Sequence, residues 1–108
     1  MKADTICAIS TPPGVSGIGI VRLSGPDTYK IIEKIFTPGK ITGKRKKIKI
    51  EKIPSHTVHY GHIIENGRII DEILLTIMKA PRSYTREDMA EIGCHGGIIP
   101  LKEVLNLC

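Results

Sequence analysis

Apolar and polar positions change period along this chain, and the changes mark its elements. In "DTICAISTPPGVSGIGIVRLSG", two short β-rich runs, Thr5–Ile9 and Ile18–Leu23, flank a loop punctuated by Pro-Pro-Gly and Ser-Gly. This predicts strand, long turn, strand. Alternation in the second run puts Ile18, Ile20, Arg22 and Ser24 on one face and Gly19, Val21 and Leu23 on the other. Arg22 thus shares a face with isoleucines, an unusual setting for a surface arginine. The period then lengthens. Ile31, Ile32, Ile35 and Phe36 make one helical stripe, preceded by Ser-Gly-Pro-Asp, with Pro26 suited to a first turn and Asp27 to the positive helix end. A helix is predicted over Pro26–Phe36, stopped by "TPGK".

The clearest local signal is "HTVHYGHIIENGRIIDEILLTIMKAP", two β-rich runs around Asn66-Gly67, the pair suited to a type I′ turn. Glu65 and Arg68 would face each other there and are able to pair. The second run is apolar enough to be a central strand covered on both faces, ended by Pro81. Upstream, "KITGKRKKIKIEK" ends in alternating Lys and Ile. It fits a loop or an edge strand guarded by its charges, and the pattern does not choose between them. After Pro81, Ser83 is placed to cap a short helical turn through Asp88. "MAEIGCH" reads as a short strand with Glu91 between apolar neighbours. Gly96-Gly97 opens a helix bearing Leu101, Val104, Leu105 and Cys108 on one face. That helix is still running at the last residue, as expected of the front of something longer. The elements sum to an α/β (α+β) fold: a mixed β-sheet with a central Asn-Gly hairpin and two main helices.

Composition narrows the class. A chain of 108 residues is the size of one domain and buries roughly two thirds of its unfolded surface. No apolar run is long enough to span a bilayer, and the N-terminus lacks a secretory pattern, so the expected location is cytoplasmic and no membrane partner is expected. Cys7, Cys94 and Cys108 are widely spaced without a C-x-x-C pair and read as reduced, structural thiols. The formal charge is +5, but Lys40 to Lys52 alone carries seven Lys or Arg against one Glu, so all the other residues together carry −1. One basic stretch, without aromatics to stack on bases, makes the chain basic. It fits a solvated loop or a phosphate-contacting one.

Familiar site motifs fail on spacing. "GKITGKR" has one residue too few for a P-loop and Arg45 where a hydroxyl belongs, and "GVSGIG" leads into a strand instead of a helix. Cys94 and His95 are adjacent, so on a strand they point to opposite faces and cannot work as nucleophile and base together. His56, His59 and His62 split between faces, and no metal site or catalytic residue is assigned.

Two segments stand out together: "DTICAISTPPGVSGIGIVRLSG" and "APRSYTREDMAEIGCHGG", with "IIDE" at Ile69–Glu72 before the second. Their order and separation closely resemble the N-terminal domain of the MnmE (TrmE) family of tRNA modification GTPases. The resemblance covers nearly the whole chain except about Thr37 to Ser55. It implies that residues 1–108 are a tetrahydrofolate-binding, dimer-forming domain with a fold like that of folate-binding aminomethyltransferases, here without the family's helical and GTPase domains. It further implies a role, with the flavoprotein MnmG and tRNA, in forming 5-carboxymethylaminomethyl or aminomethyl uridine at the wobble position. The one-carbon unit would come from 5-formyl-tetrahydrofolate or 5,10-methylene-tetrahydrofolate. GTP, Mg and K belong to the family's longer members, whose sites are absent here, so the segment is expected to be a binding module, its own enzyme activity left open.

The resemblance places folate contacts at Arg22, from "IVRLSG", and Glu91, from "SYTREDMAEI"; a further family contact lies beyond Cys108. A reduced pterin presents an amino group beside a ring N–H, two parallel donors that one carboxylate accepts together. Arg22 suits either the ring oxygen or the anionic glutamate tail. The plain alternative is that Arg22 and Glu91 pair with each other across the sheet. Gly96-Gly97 likewise fits an anion-holding turn or a simple tight turn. Two departures from the family pattern, Val15-Ser16 for a frequent Arg-Gly and Arg86 for a frequent Gly, bear on loop contacts. Two other readings stay open: a free-standing folate-dependent one-carbon transferase, and a basic RNA-binding module.

Overall fold

The computed structural model describes residues 4–10, 19–40, 46–95 and 98–108. The Pro-Pro-Gly loop with Val15-Ser16, the first half of the basic stretch and the Gly96-Gly97 turn lie outside them. Six strands, β1 (Ile6–Ile9), β2 (Gly19–Ser24), β3 (Phe36–Pro38), β4 (Thr57–Glu65), β5 (Arg68–Met78) and β6 (Met89–Cys94), form one sheet in the order β1-β2-β6-β5-β4-β3. Every pairing is antiparallel, which corrects the expected mixed sheet. The reason lies in the connections: β1–β2 and β4–β5 are direct returns, and β6 enters between β2 and β5 against the direction of both.

Period-2 alternation sorts the side chains. Val21, Leu23, Ile73, Leu75, Ile77, Ile92 and Ile63 are fully buried on one face, where helices α1 (Thr28–Ile35) and α2 (Ile98–Leu107) add Ile32, Ile35, Leu101 and Val104. Both helices therefore cover the same face. The apolar run of β5 predicts cover on both faces. It is central, yet its other face, with Glu72 and Leu74, is exposed, because no helix is available for it among the described residues.

The hairpin forms as the Asn-Gly pair predicts: Asn66 and Gly67 have φ of 51° and 77°, as a type I′ turn requires. Glu65 and Arg68 are register partners, but the Arg68 guanidinium reaches α2 instead and bonds Glu103 at 3.1 Å. α1 is shorter than predicted. Asp27 occupies its N-cap without a side-chain cap, and Phe36 leaves the helix to start β3, the edge strand paired with β4. Phe36 is pulled out by packing, since it lies fully buried over Gly61, where an added Cβ would sit 2.6 Å from its ring and 2.3 Å from the Thr37 carbonyl oxygen.

With β3 holding that edge, residues 46–52 form no strand. Ile48 and Ile50 turn into the core, the lysines face solvent, Ile50–Lys52 is a single 3-10 turn, and the Ile50 amide donates to Glu33 Oε2 at 2.9 Å. Nor does Ser83 cap a helix. Residues 82–87 are a string of bends in which the Ser83 hydroxyl donates to the Glu87 carbonyl at 2.5 Å and Arg86 takes φ 65°. Backbone in the left-handed region at Arg86 interrupts any helix there.

Gly61→Ala is expected to lower unfolding free energy by about 1–3 kcal/mol, since the methyl must displace both Phe36 and the β3 backbone. Urea denaturation monitored by circular dichroism reads this directly, and a loss under ~0.3 kcal/mol would show that β3 is not held by that contact.

Candidate ligand site on the open sheet face

On the face opposite the helices, β2 and β6 set Arg22 directly across from Glu91, and Glu91 is in turn across from Thr76 of β5. Burial of Val21, Leu23, Ala90 and Ile92 beneath them leaves the two charged residues only one side to occupy. Arg22 Nε and Nη2 both donate to the same oxygen, Glu91 Oε2, at 2.9 and 2.6 Å. Glu91 Oε1 accepts none of the described hydrogen bonds. The Arg22 side chain is 38% exposed and that of Glu91 18%, so the pair is partly desolvated but open to a ligand from above.

The 79–88 segment closes one end of this face. The Ser24 hydroxyl shares a 2.6 Å hydrogen bond with Thr85 and donates to Glu87 at 3.3 Å, the Ala80 amide donates to Asp88 Oδ1, and the Thr28 hydroxyl donates to the Asp88 carbonyl. These ties fix Tyr84 with its ring 5.3 Å from Arg22 Cζ, a cation–π distance, while leaving the ring 72% exposed. Beyond Glu91 the face continues through exposed Leu74, Tyr60 and Val58. Tyr60 donates to Glu72 Oε2 at 2.8 Å, and that bond to a carboxylate holds its hydroxyl proton more tightly than usual.

Sequence reasoning thus named the two charged residues, and the fold brings them together. It missed Tyr84, whose place inside "SYTRED" marks it only as a loop aromatic until the Ser24–Thr85 bond is seen. A second cleft of about 520 Å³ lies on the α1 side between Tyr29, Glu33, Lys49, Lys79 and Asp88. Two of its three carboxylates, Glu33 and Asp88, are already engaged by backbone amides, the third is Glu51, and its charges are mixed with Lys49 and Lys79.

The family model described as the GTP-binding protein TrmE N-terminus matches residues 5–108. This chain belongs to the TrmE N-terminal family. It is 54% identical over 109 residues to the tRNA modification GTPase MnmE of Thermoanaerobacter pseudethanolicus, covering 99% of this chain and 22% of that protein. The MnmE proteins of Listeria welshimeri and Carboxydothermus hydrogenoformans are each 49% identical with the same coverage. The chain therefore spans about a fifth of the length of the curated relatives it matches. Within the TrmE N-terminal family frame, the Arg22 and Glu91 motifs fall on adjacent strands, and no group of His, Cys, Asp and Glu among the described residues has a metal-binding arrangement. No helix among them is long and apolar enough to cross a membrane.

Cys94 and His95 do separate as adjacency on a strand demands: Cys94 is buried among the core residues, and His95 is exposed, with its amide bonded to Asp71 and Nδ1 to the Glu72 carbonyl. Burial pushes the Cys94 thiol up to about 12 from an ordinary value of 9.0. The three cysteines are free, though not as separate as their spacing suggests, because Cys108, just past the end of α2, lies next to Cys7 of β1, whose neighbourhood together with burial pushes the Cys108 thiol up.

Cys94 is expected to resist alkylation by iodoacetamide at pH 8 in the folded protein. Above pH 9 the unfolded chain loses this proton while the folded one keeps it, so its contribution to stability declines as pH rises from 9.0 toward about 12. Chemical denaturation at pH 8, 9.5 and 10.5 should show that fall, whereas rapid labelling of native Cys94 at pH 8 would contradict its burial.

Proposed function

We propose that the open sheet face binds the ring of a reduced folate and that the chain acts as the folate-binding, dimer-forming module of a tRNA modification GTPase. The observation that carries this reading is the register pair Arg22–Glu91 on an open face beneath Tyr84, within a chain of the TrmE N-terminal family.

The residues fit the group. Glu91 offers a half-buried carboxylate whose Oε1 accepts none of the described hydrogen bonds, and Tyr84 offers a flat aromatic wall against Arg22. Because Arg22 spends both of its bonds on Oε2, a ligand edge with two parallel donors competes with Arg22 for that oxygen. Arg22 then turns from Glu91 to the ring oxygen or to the ligand's carboxylates, keeping its charge satisfied. Bound folate, as a 5-formyl or 5,10-methylene derivative, supplies the one-carbon unit. The chain's own part is to bind and orient the ring and to bring two copies together, for which the exposed Val58, Tyr60 and Leu74 provide apolar surface on the same face. In this reading the longer relatives, tRNA modification GTPases by name, set the context, and the family resemblance adds the rest of the proposal: GTP hydrolysis with Mg and K in the longer protein, partnership with the flavoprotein MnmG, and action on the carbon-5 substituent of the wobble uridine, in the cytoplasm.

A basic RNA-binding module is less well supported, since Ile48 and Ile50 anchor the end of the basic stretch to the core and no aromatic accompanies its lysines. Isothermal titration of the protein with 5-formyl-tetrahydrofolate should give saturable binding that Glu91→Ala weakens by at least about tenfold, the value of one or two charge-assisted hydrogen bonds. Arg22→Ala is expected to lose less, because removing the guanidinium also removes the competitor for Oε2. Unchanged affinity in both variants would sink the site assignment.

A further inference from the structure

We propose that the cleft next to Tyr84, lined by His56, Arg82 and Arg86, is an anion subsite that receives the carboxylates added by γ-linked glutamates beyond the first in a folate's tail. This rests on the reading that Arg22 and Glu91 hold the ring.

Position is the first ground. The cleft, of about 360 Å³, has Tyr84 as one wall, and the same ring stands 5.3 Å from Arg22 Cζ. One aromatic side chain therefore separates the ring site from the cleft, and an elongated ligand lying along Tyr84 reaches both.

Charge is the second. None of the ion pairs among the described residues involves Arg82 or Arg86, and both side chains are exposed. The acidic residues of the same segment are occupied elsewhere: Glu87 accepts from the Ser24 hydroxyl and Asp88 from the Ala80 amide. Two guanidinium groups are thus left facing solvent at one cleft, with His56 beside them. Guanidinium matches carboxylate in planarity and spacing of donors, so the fitting ligand chemistry is a string of carboxylates. Each γ-linked glutamate added to a folate adds one.

Backbone conformation is the third. Arg86 has φ 65°, in the left-handed region that residues other than Gly, Asn, Asp and His seldom enter; His56, with φ 62°, is of a type that tolerates it. Glycine is the residue of least cost at such a position, and arginine stands there in this chain without any described side-chain hydrogen bond to offset the strain. Strain held at a residue with a free cationic head is a mark of ligand contact. The segment is also held in place before any ligand arrives, by Ser83 to Glu87, Ser24 to Thr85 and Ala80 to Asp88, so binding there orders little new chain.

The test compares 5-formyl-tetrahydrofolate bearing one glutamate with the same compound bearing three, titrated calorimetrically into the wild-type protein and into the double variant Arg82→Gln with Arg86→Gly. Glycine suits φ 65°, so the variant keeps the segment's path, and its affinity for the monoglutamate serves as the internal check on folding. The wild type should bind the triglutamate about tenfold more tightly, a preference that shrinks with added salt. The double variant should lose that preference while holding its monoglutamate affinity within about twofold. Equal affinities for both compounds in the wild type, or an undiminished preference in the variant, would overturn the subsite and leave the ring site standing. A parallel titration with tRNA distinguishes the other source of anions: loss of tRNA binding in the variant with the tail preference intact overturns the subsite and assigns the arginines to phosphate. If neither compound binds the wild type, the ring site itself fails and this inference fails with it.

Discussion

The antiparallel register of β2 and β6 is the constraint on which the rest depends. It buries Val21 and Leu23 against Ala90 and Ile92 on the helix side, and a strand has only two sides. Arg22 and Glu91 are consequently forced to meet on the open one, and a slip of a single residue would carry both charges into the core. Core packing, worth far more than one ion pair, is what fixes the register. The ion pair is an outcome of the hydrophobic pattern and not its cause.

The same division explains how a small chain presents a usable face. All helical cover goes to one side, leaving a sheet surface with a charge pair at its centre, apolar side chains toward β4 and a tethered segment at the other end. Ser24, buried and bonded to Thr85, links the end of β2 to that segment, so the position of Tyr84 is set by the strand that carries Arg22. The guanidinium comes from the front of the sequence and the aromatic wall and carboxylate from a single later segment, and the pairing of β2 with β6 brings them together.

Much of this was legible beforehand where a local signal agreed with its surroundings. Strict alternation gave the faces of β2, the Asn66-Gly67 pair gave the hairpin, and two linked motifs gave the family and its candidate residues. Readings failed where a long-range partner overrode a local pattern. Phe36 continues the α1 stripe but is claimed by the packing over Gly61. Ile48 and Ile50 alternate like strand residues, yet the core takes their side chains and Glu33 takes the Ile50 amide. Arg68 faces Glu65 in register and pairs with Glu103 across the hairpin's end. Tyr84 gave no signal at all, because its importance comes from proximity to Arg22, sixty-two positions back along the chain.

The central claim is that the open face, at the Arg22–Glu91 pair, is where a folate ring sits. A crystal structure of the protein grown with 5-formyl-tetrahydrofolate tests it most directly. The account predicts the pterin edge within hydrogen-bond distance of the Glu91 carboxylate, with Arg22 turned away from Oε2 and Tyr84 against the ligand. A ligand bound elsewhere, with the Arg22–Glu91 pair intact and untouched, would contradict it.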